Sequence, residues 1–413
     1  MGQQTSQHLK PHDPYAPLRI PAFRRYVSGH TILIFGQQMQ KVAVGWEIYE
    51  RTGSAIKLGY VGLVQFLPVA VFAIVAGHVV DSYDRKKVLM LALVATVLSA
   101  LGLAWNSSIH GPIASTYGLL LLTGTARAFQ NPSKATFVPR LVPREIFSVA
   151  ATWTSSGFEI ASMAGPAVGG LLIGYVGSPI LIYLLNAAAA STFLIAIATI
   201  RYRHEVVEKV PITLRSLSAG VRFVWHKKEV MAAMTLDMFA VLLGGATTLM
   251  PIFAKDILQV GPRGLGWLLA SPSIGAVSMA MFQAHRPTYQ RAGRTMLGAV
   301  TGFGIATIVF GLSTNFALSM AMLVIVGMCD NVSVVIRSTL IQLLTPDEMR
   351  GRVSALNGLF IGASNELGGF ESGMVAGLFT PLISVVSGGI GTCVVVLAVA
   401  WAWPEIRRFT RLI

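Results

Sequence analysis

Lys41, Arg127, Glu159, Asp237, Asp330 and Glu366 stand inside segments that are otherwise apolar. An ionisable group in hydrocarbon costs at least ~2.5–3.5 kcal/mol, so each needs a partner, a watery cavity or a task. A carboxyl in a low-dielectric site can take up and release a proton near working pH, the property a coupling group needs. Glu159 and Glu366 are the first candidates for that role; a satisfied structural carboxyl is the alternative for each. Glu159 lies about 16 Å into its helix at ~1.5 Å per residue, with Ser155 and Ser162 on its face. Asp237 falls in the first third of a later segment, and Glu366 shares another with Glu371.

Arg127 falls about 18 Å deep in the fourth span by the same rise, near the middle of a bilayer. Gln130 and Lys134 follow on its face, three and seven residues on. Shifting the chain by 203 positions puts Asp330, Ser333 and Arg337 at the same three places. The spacing predicts opposite charges at one depth, Arg127 against Asp330, facing a shared cavity. Pairing within each half is the other reading. Lys134 and Arg337 are expected near the inner interface, with their charged heads snorkelling to water. In the first span, Gln37, Gln40, Lys41, Val44 and Glu47 fall within an arc of about 120° at ~100° per residue. Such a stripe predicts cavity lining or interhelical hydrogen bonds, with Glu47 near the outer interface.

These groups need long apolar helices to position them. The chain is 54% hydrophobic and 12% charged, against roughly 25% charged in soluble domains. Twelve membrane-helix candidates follow, near 25–50, 56–80, 86–106, 113–138, 146–176, 179–201, 230–256, 264–284, 293–313, 316–344, 350–378 and 380–403. The expected fold is all-α and integral to the membrane: a tail 1–22, a six-helix bundle 23–201, a polar loop 202–229, a second six-helix bundle 230–403 and a tail 404–413. The 203-residue shift also pairs Gly165 with Gly368, Gly170 with Gly373 and Gly174 with Gly377, as two related bundles require. The spans are too long for barrel strands.

The net charge of +14 reflects topology. Of the 32 Lys and Arg residues, Arg51, Lys57, Lys255 and Arg263 lie on one side, and Lys41, Arg127, Lys134 and Arg337 lie within spans. The rest crowd the other side with both termini, which the positive-inside bias places in the cytoplasm. The basic balance therefore suits anionic lipid rather than nucleic acid. The polar first residues lack the apolar core of a secretory signal, so the first span is expected to be retained. Cys329 and Cys393 fall in apolar spans and read as packing residues. Leu214–Trp225 reads either as an amphipathic helix on the inner leaflet or as a solvated linker.

Two further features suggest moving parts. The tight turn after the second span runs Gly77, then Asp81, Asp84, Arg85, Lys86 and Lys87. Asp81 could cap a helix start or pair with Arg85 or Lys86, holding the cytoplasmic side shut in one state. The second half has a basic turn there without an acid, so the predicted latch is asymmetric. Gly165, Pro166, Gly169 and Gly170 make a bending or close-packing element in the fifth span.

The series Gln38–Ala43, Tyr49–Ala55, Gln65–Pro68 and the Asp81–Lys87 turn resembles the secretion-effector branch of the major facilitator superfamily, which includes enterobactin-exporter-like proteins. Arg127 matches the arginine of that superfamily's helix-4 motif, and residues 165–170 match the core of its antiporter motif. The resemblance covers essentially the whole chain. It implies a twelve-helix fold with alternating access, a central substrate cavity and proton-coupled export of a small molecule such as a siderophore, drug or macrolide. Ser82, Asp84, Asn131 and Ala161 depart from the family's usual residues. A lipid flippase or passive facilitator on the same fold stays open. A membrane-embedded enzyme is the remote reading, because no nucleotide loop, zinc pair or serine elbow is present. His204–Glu208 in the polar loop reads as a solvated face rather than a metal site. Without a nucleotide site, energy is expected from a proton gradient with no cofactor. A monomer in the plasma membrane is expected, with lipids and a small-molecule substrate as partners.

Overall fold

The computed structural model describes residues 13–200, 221–244, 246–285 and 289–409. Most of the loop 202–229, including His204–Glu208 and the start of Leu214–Trp225, lies outside the described residues. Among the described residues there is no strand. The long helices are α1 (Pro21–Thr52), α2 (Ala55–Ser82), α3 (Arg85–Ser108), α4 (Ile113–Phe137), α5 (Phe147–Val176), α6 (Ile180–Thr199), α7 (Lys228–Leu243), α8 (Gly261–Ala284), α9 (Ala292–Leu312), α10 (Phe316–Leu344), α11 (Asp347–Leu378) and α12 (Pro381–Ala402).

Local chemistry sets the boundaries. The Asp84 carboxylate caps α3 by accepting from the Lys86 amide at 2.9 Å, and Asn315 caps α10 from the Leu318 amide at 3.1 Å. Gly53 and Gly177 end α1 and α5 in the left-handed region, at φ 58° and 71°. Among the described residues, nine spans are long and apolar enough to cross a membrane. Helices α1, α4 and α11, at 32, 25 and 32 residues, are long enough as well. Their lower hydropathy comes from the polar side chains that build the site. The span expected at 230–256 is interrupted: α7 stops at Leu243, a short helix follows at Ala246–Ile252, and a π turn covers Phe253–Ile257. The adjacent Gly244 and Gly245 explain the break, since glycine is the weakest helix former short of proline.

Packing follows a pseudo-twofold. In the first half α1 packs on α5 and α6, α3 on α4 and α6, and α2 on α4. In the second, α7 packs on α11 and α12, α9 on α10 and α12, and α8 on α10. The halves meet through α2 on α11 and α5 on α8, a symmetric pair. Helices related by the 203-residue shift use their glycines alike. Gly165 lies against α1 at Gln38, and Gly368 lies against α7 at Leu242. Gly170 lies against Gly266 of α8, and Gly373 against Gly59 of α2. Small residues at these points let backbones touch, the main source of helix association in lipid.

The two ends of the bundle differ. At the end where α1 begins, here the basic end, two separate cores form. One, around Phe23, Tyr26, Phe137 and Phe193, belongs to the first half, and the other, around Met234, Met296 and Ile336, to the second. At the opposite end a single core joins both halves, with Trp46, Tyr49 and Tyr183 beside Met250, Phe253 and Phe310. A methyl group added at Gly77, Gly358 or Gly362, in the basic-end parts of α2 and α11, would meet nothing within 4 Å. The molecule is therefore closed at the opposite end and open at the basic end.

Candidate functional site

Between the halves lies a cavity of about 350 Å³, lined by α1 (Gln38, Lys41, Val42, Gly45), α2 (Leu58, Val61, Gly62), α5 (Ser162, Pro166), the segment after α7 (Thr247, Thr248, Pro251), α8 and α11 (Asn365, Glu366, Gly369). Its charged centre is Glu366. Oε1 of this carboxylate lies 3.6 Å from Lys41 Nζ and 3.6 Å from Arg127 Nη1. The Glu366 side chain is 11% exposed, while Lys41 and Arg127 are 52% and 39% exposed. One half thus contributes two cations and the other the carboxylate between them. Gly62 makes the approach possible: a Cβ there would come within 2.9 Å of the Glu366 carbonyl oxygen.

Arg127 therefore reaches Glu366 of α11 rather than Asp330 of α10. The topology explains the difference, because α11 lies beside α2 and its neighbour α4, whereas α10 lies beside α8. Asp330 instead comes within electrostatic range of Glu159 of α5. Both are exposed although each sits about midway along its helix, as lining of an open vestibule requires.

The polar stripe of α1 divides into two faces. Gln40 Oε1 accepts from Asn186 Nδ2 at 2.6 Å, and Glu47 Oε2 accepts from Tyr183 Oη at 2.6 Å, both on α6. Glu47 also pairs with Arg51 at 3.3 Å. These residues lock α1 to α6, so Glu47 is a buried bundle contact near the end of α1. The cavity face is Gln38, Lys41, Val42 and Gly45, of which only Lys41 belonged to the predicted stripe. Gln37 is half-buried, and its amide nitrogen finds no partner among the described residues. Gln130 likewise turns from the cavity, donating to Thr96 Oγ1 at 2.8 Å.

Arg337 does not snorkel. It pairs with Asp237 of α7 inside the second half, with side chains 5% and 9% exposed. Both side chains are almost wholly shielded from water, so pairing replaces hydration. Lys134, at the equivalent place in the first half, is half-buried with His30 as a neighbour, and no ion pair to an acid is seen among the described residues. Glu371 is half-buried and accepts a hydrogen bond from Ser372 at 3.4 Å.

The described contacts of the turn after α2 lie within the first half. The side chain of Asp81 lies outside the described residues. Asp84 caps α3, and Lys86 Nζ donates to the Ala198 and Ile200 carbonyls at 2.8 Å each, tying α3 to the end of α6. Lys87 is exposed and Arg85 half-buried. Gly165, Pro166, Gly169 and Gly170 lie within the unbroken α5. Gly165 and Gly169 abut α1, Pro166 lines the cavity, and Gly170 meets α8.

Two ties at the opposite end were not anticipated. The Tyr49 hydroxyl of α1 donates to the Asp256 carboxylate in the π turn, and Lys255 sits 5.9 Å from the Tyr49 ring. Arg263 of α8 donates to the Gly174 carbonyl at 3.0 Å and stacks over Tyr175 at 4.9 Å. In the sequence Arg263 and Lys255 stand only as charges on one side of the membrane, and no spacing links them to α1 or α5.

The profile of the transmembrane secretion effector family matches residues 12–407. The chain belongs to this family of the major facilitator superfamily. It is 27% identical over 392 residues to the enterobactin exporter EntS of Escherichia coli O1:K1, covering 94% of this chain and 93% of the relative. EntS of Shigella boydii serotype 18 matches to the same extent. Among solved structures, a bacterial homologue of the iron transporter ferroportin in its inward-facing state superposes with a TM-score of 0.72 at 14% identity, covering 95% of this chain and 99% of that one. A bacterial homologue of the lysosomal transporter Spinster, inward-facing and unoccupied, gives 0.69 at 14% identity, covering 95% and 97%. The fold is that of the major facilitator superfamily. The protein is a multi-pass membrane transporter, not an enzyme.

Proposed function

We propose that this transporter is a proton-driven exporter, carrying a small molecule outward across the cytoplasmic membrane by alternating access. The positive-inside bias makes the basic end cytoplasmic, with both termini there. The open cavity is then loaded from the cytoplasm. One observation carries the coupling: a carboxylate of the second half, Glu366, is held by two cations of the first, Lys41 and Arg127. Opening the opposite end parts α2 from α11 and must break this tie. A proton on Glu366 replaces the lost attraction, so protonation and opening support each other. Glu159 and Asp330 are the second carboxyl set through which a proton can be shared. The proton gradient supplies the energy, without a cofactor. The working unit is the monomer, surrounded by lipid, and its basic surface serves topology rather than nucleic acid. The likeness to enterobactin exporters supports a siderophore-sized cargo, with drugs and macrolides as the other members of the panel.

The experiment is flux of a compound panel in proteoliposomes, with and without an imposed pH gradient. Gradient-driven flux of at least one compound, lost in Glu366→Gln, is expected. Equal flux with and without the gradient for every transported compound would sink the coupling and leave a passive facilitator. Unchanged flux in Glu159→Gln at every pH would strike Glu159 from the coupling set.

A further inference from the structure

The geometry points to a cargo that carries a negative charge, with Lys41 and Arg127 as its binding pair and Glu366 as the built-in anion that it displaces. The inference rests on the reading of the central cavity as the transport site. Four observations support it.

First, charge is unbalanced on this side of the cavity. Two cations share one carboxylate oxygen, and Lys134 stands two turns from Arg127 on the same helix with that guanidinium as its electrostatic neighbour. Among the described residues no ion pair joins Lys41 or Arg127 to Glu159 or Asp330, which stand on α5 and α10 within range of each other. Second, the ion pairs are loose. At 3.6 Å neither is a hydrogen bond. An ammonium offers three donors and a guanidinium five, and Glu366 is the acidic partner of both among the described residues. Third, the cations are open and the carboxylate is not. Lys41 and Arg127 are 52% and 39% exposed, whereas Glu366 is 11% exposed. An incoming group therefore reaches the cations first. Fourth, the surrounding wall suits an amphiphile: Val42, Leu58, Val61, Leu265 and Leu269 are apolar.

A carboxylate, sulfonate, phosphate or ionised phenol on such a molecule would lie against Lys41 and Arg127, where a guanidinium can hold two oxygens at once. A cationic cargo would face two like charges to reach a carboxylate that is already held. Displacing Glu366 also frees α11 from α1 and α4, which links loading to the release of the tie between the halves.

The test is equilibrium binding to the full chain in phosphatidylcholine nanodiscs, read by fluorescence with dansylglycine as the anionic probe and its N-methylamide as the uncharged one. Protein-free nanodiscs correct for partition into lipid. The wild type is expected to bind dansylglycine about tenfold more tightly than the amide, one unit charge being worth roughly that in a partly wet site. Glu366→Gln removes the competing anion and should tighten dansylglycine binding about tenfold more. Lys41→Gln should weaken it about tenfold, Lys41→Arg should restore it, and the amide should respond to none of the three. Equal affinity for the two probes, or weaker dansylglycine binding in a monodisperse Glu366→Gln, overturns the inference. Those results would leave alternating access and proton drive intact, because no flux or gradient enters the measurement. Anion-selective binding without gradient-driven flux would instead sink the exporter reading and keep this one.

Discussion

Gly373→Ala is expected to open the closed end of the transporter. A Cβ at Gly373 would lie 2.5 Å from Gly59 Cα, 2.8 Å from its amide nitrogen and 2.9 Å from the Ala55 carbonyl. All three atoms are backbone, so no flexible side chain can yield. Carbon atoms pack at about 3.5–4.0 Å, so α2 and α11 must part by about 1 Å at the crossing. Overpacking of this kind costs about 1–3 kcal/mol. The strain exists only while the crossing is closed. The gain in helix propensity from replacing glycine, about 0.5–1 kcal/mol, is common to both states and cancels. With a factor of ten for every ~1.4 kcal/mol, the equilibrium should move by about 5- to 100-fold toward the state open at the opposite end. Spin labels at Ser108 and Thr314, exposed residues on opposite halves at that end, report the change as growth of a longer-distance population in nanodiscs. Gly362→Ala is the control, since a methyl there meets nothing within 4 Å. An unchanged distribution in a folded Gly373→Ala, or the same shift in Gly362→Ala, would refute the reasoning.

Other outcomes follow from the same geometry. Asp237→Asn strips the partner from a guanidinium whose side chain is only 5% exposed, so thermal unfolding in detergent should show a loss of about 3–5 kcal/mol. The double change Asp237→Leu with Arg337→Met should recover most of that loss, because no charge is then left buried. Tyr49→Phe removes the hydroxyl that meets Asp256, and Arg263→Ala removes the tie to Gly174. Each should shift the Ser108–Thr314 distances toward opening by about 1 kcal/mol, and the two shifts should add because they lie on different helix pairs. Lys86→Met should cost about 1–2 kcal/mol of first-half stability through two lost charge-assisted bonds to α6. It should leave those distances unchanged, since both partners lie in the first half.

Helix number and placement were legible because a membrane span is a composition problem. About twenty apolar residues bounded by loops define it, and every predicted boundary except the end of the seventh span fell within four residues of the observed one. The interruption after α7 was legible too, in Gly244–Gly245, but a hydropathy window averages over two glycines and passed across it. The repeat carried more information than its few glycine identities suggested. The glycines at 165, 170, 368 and 373 mark equivalent crossings, and the structure uses all four. Small residues at such points are constrained by backbone approach, so they survive divergence that erases bulkier side chains.

Partners of the buried charges were not legible, and the reason is geometric. Depth along a helix follows from counting residues, and it set Arg127 and Asp330 at similar levels. Depth says nothing about azimuth between helices. A rotation of about 100° per residue separates the cavity face of α1, with Gln38 and Lys41, from the α6 face, with Gln40 and Glu47. One arc drawn over both faces combined a binding surface with an interhelical lock. The same ambiguity placed Arg127 opposite Asp330, although the α2–α11 crossing brings Glu366 closer. Repeat symmetry could have broken the tie. Symmetry maps the α2–α11 interface onto α8–α5, so the helix that faces α4 from the other half is the one that crosses α2. The pairing of a charge buried between two related bundles is therefore read from the interface operator, not from depth. The acidic partner of Arg127 had to lie on α11, and among the described residues of the cavity wall Glu366 is the one that meets that condition.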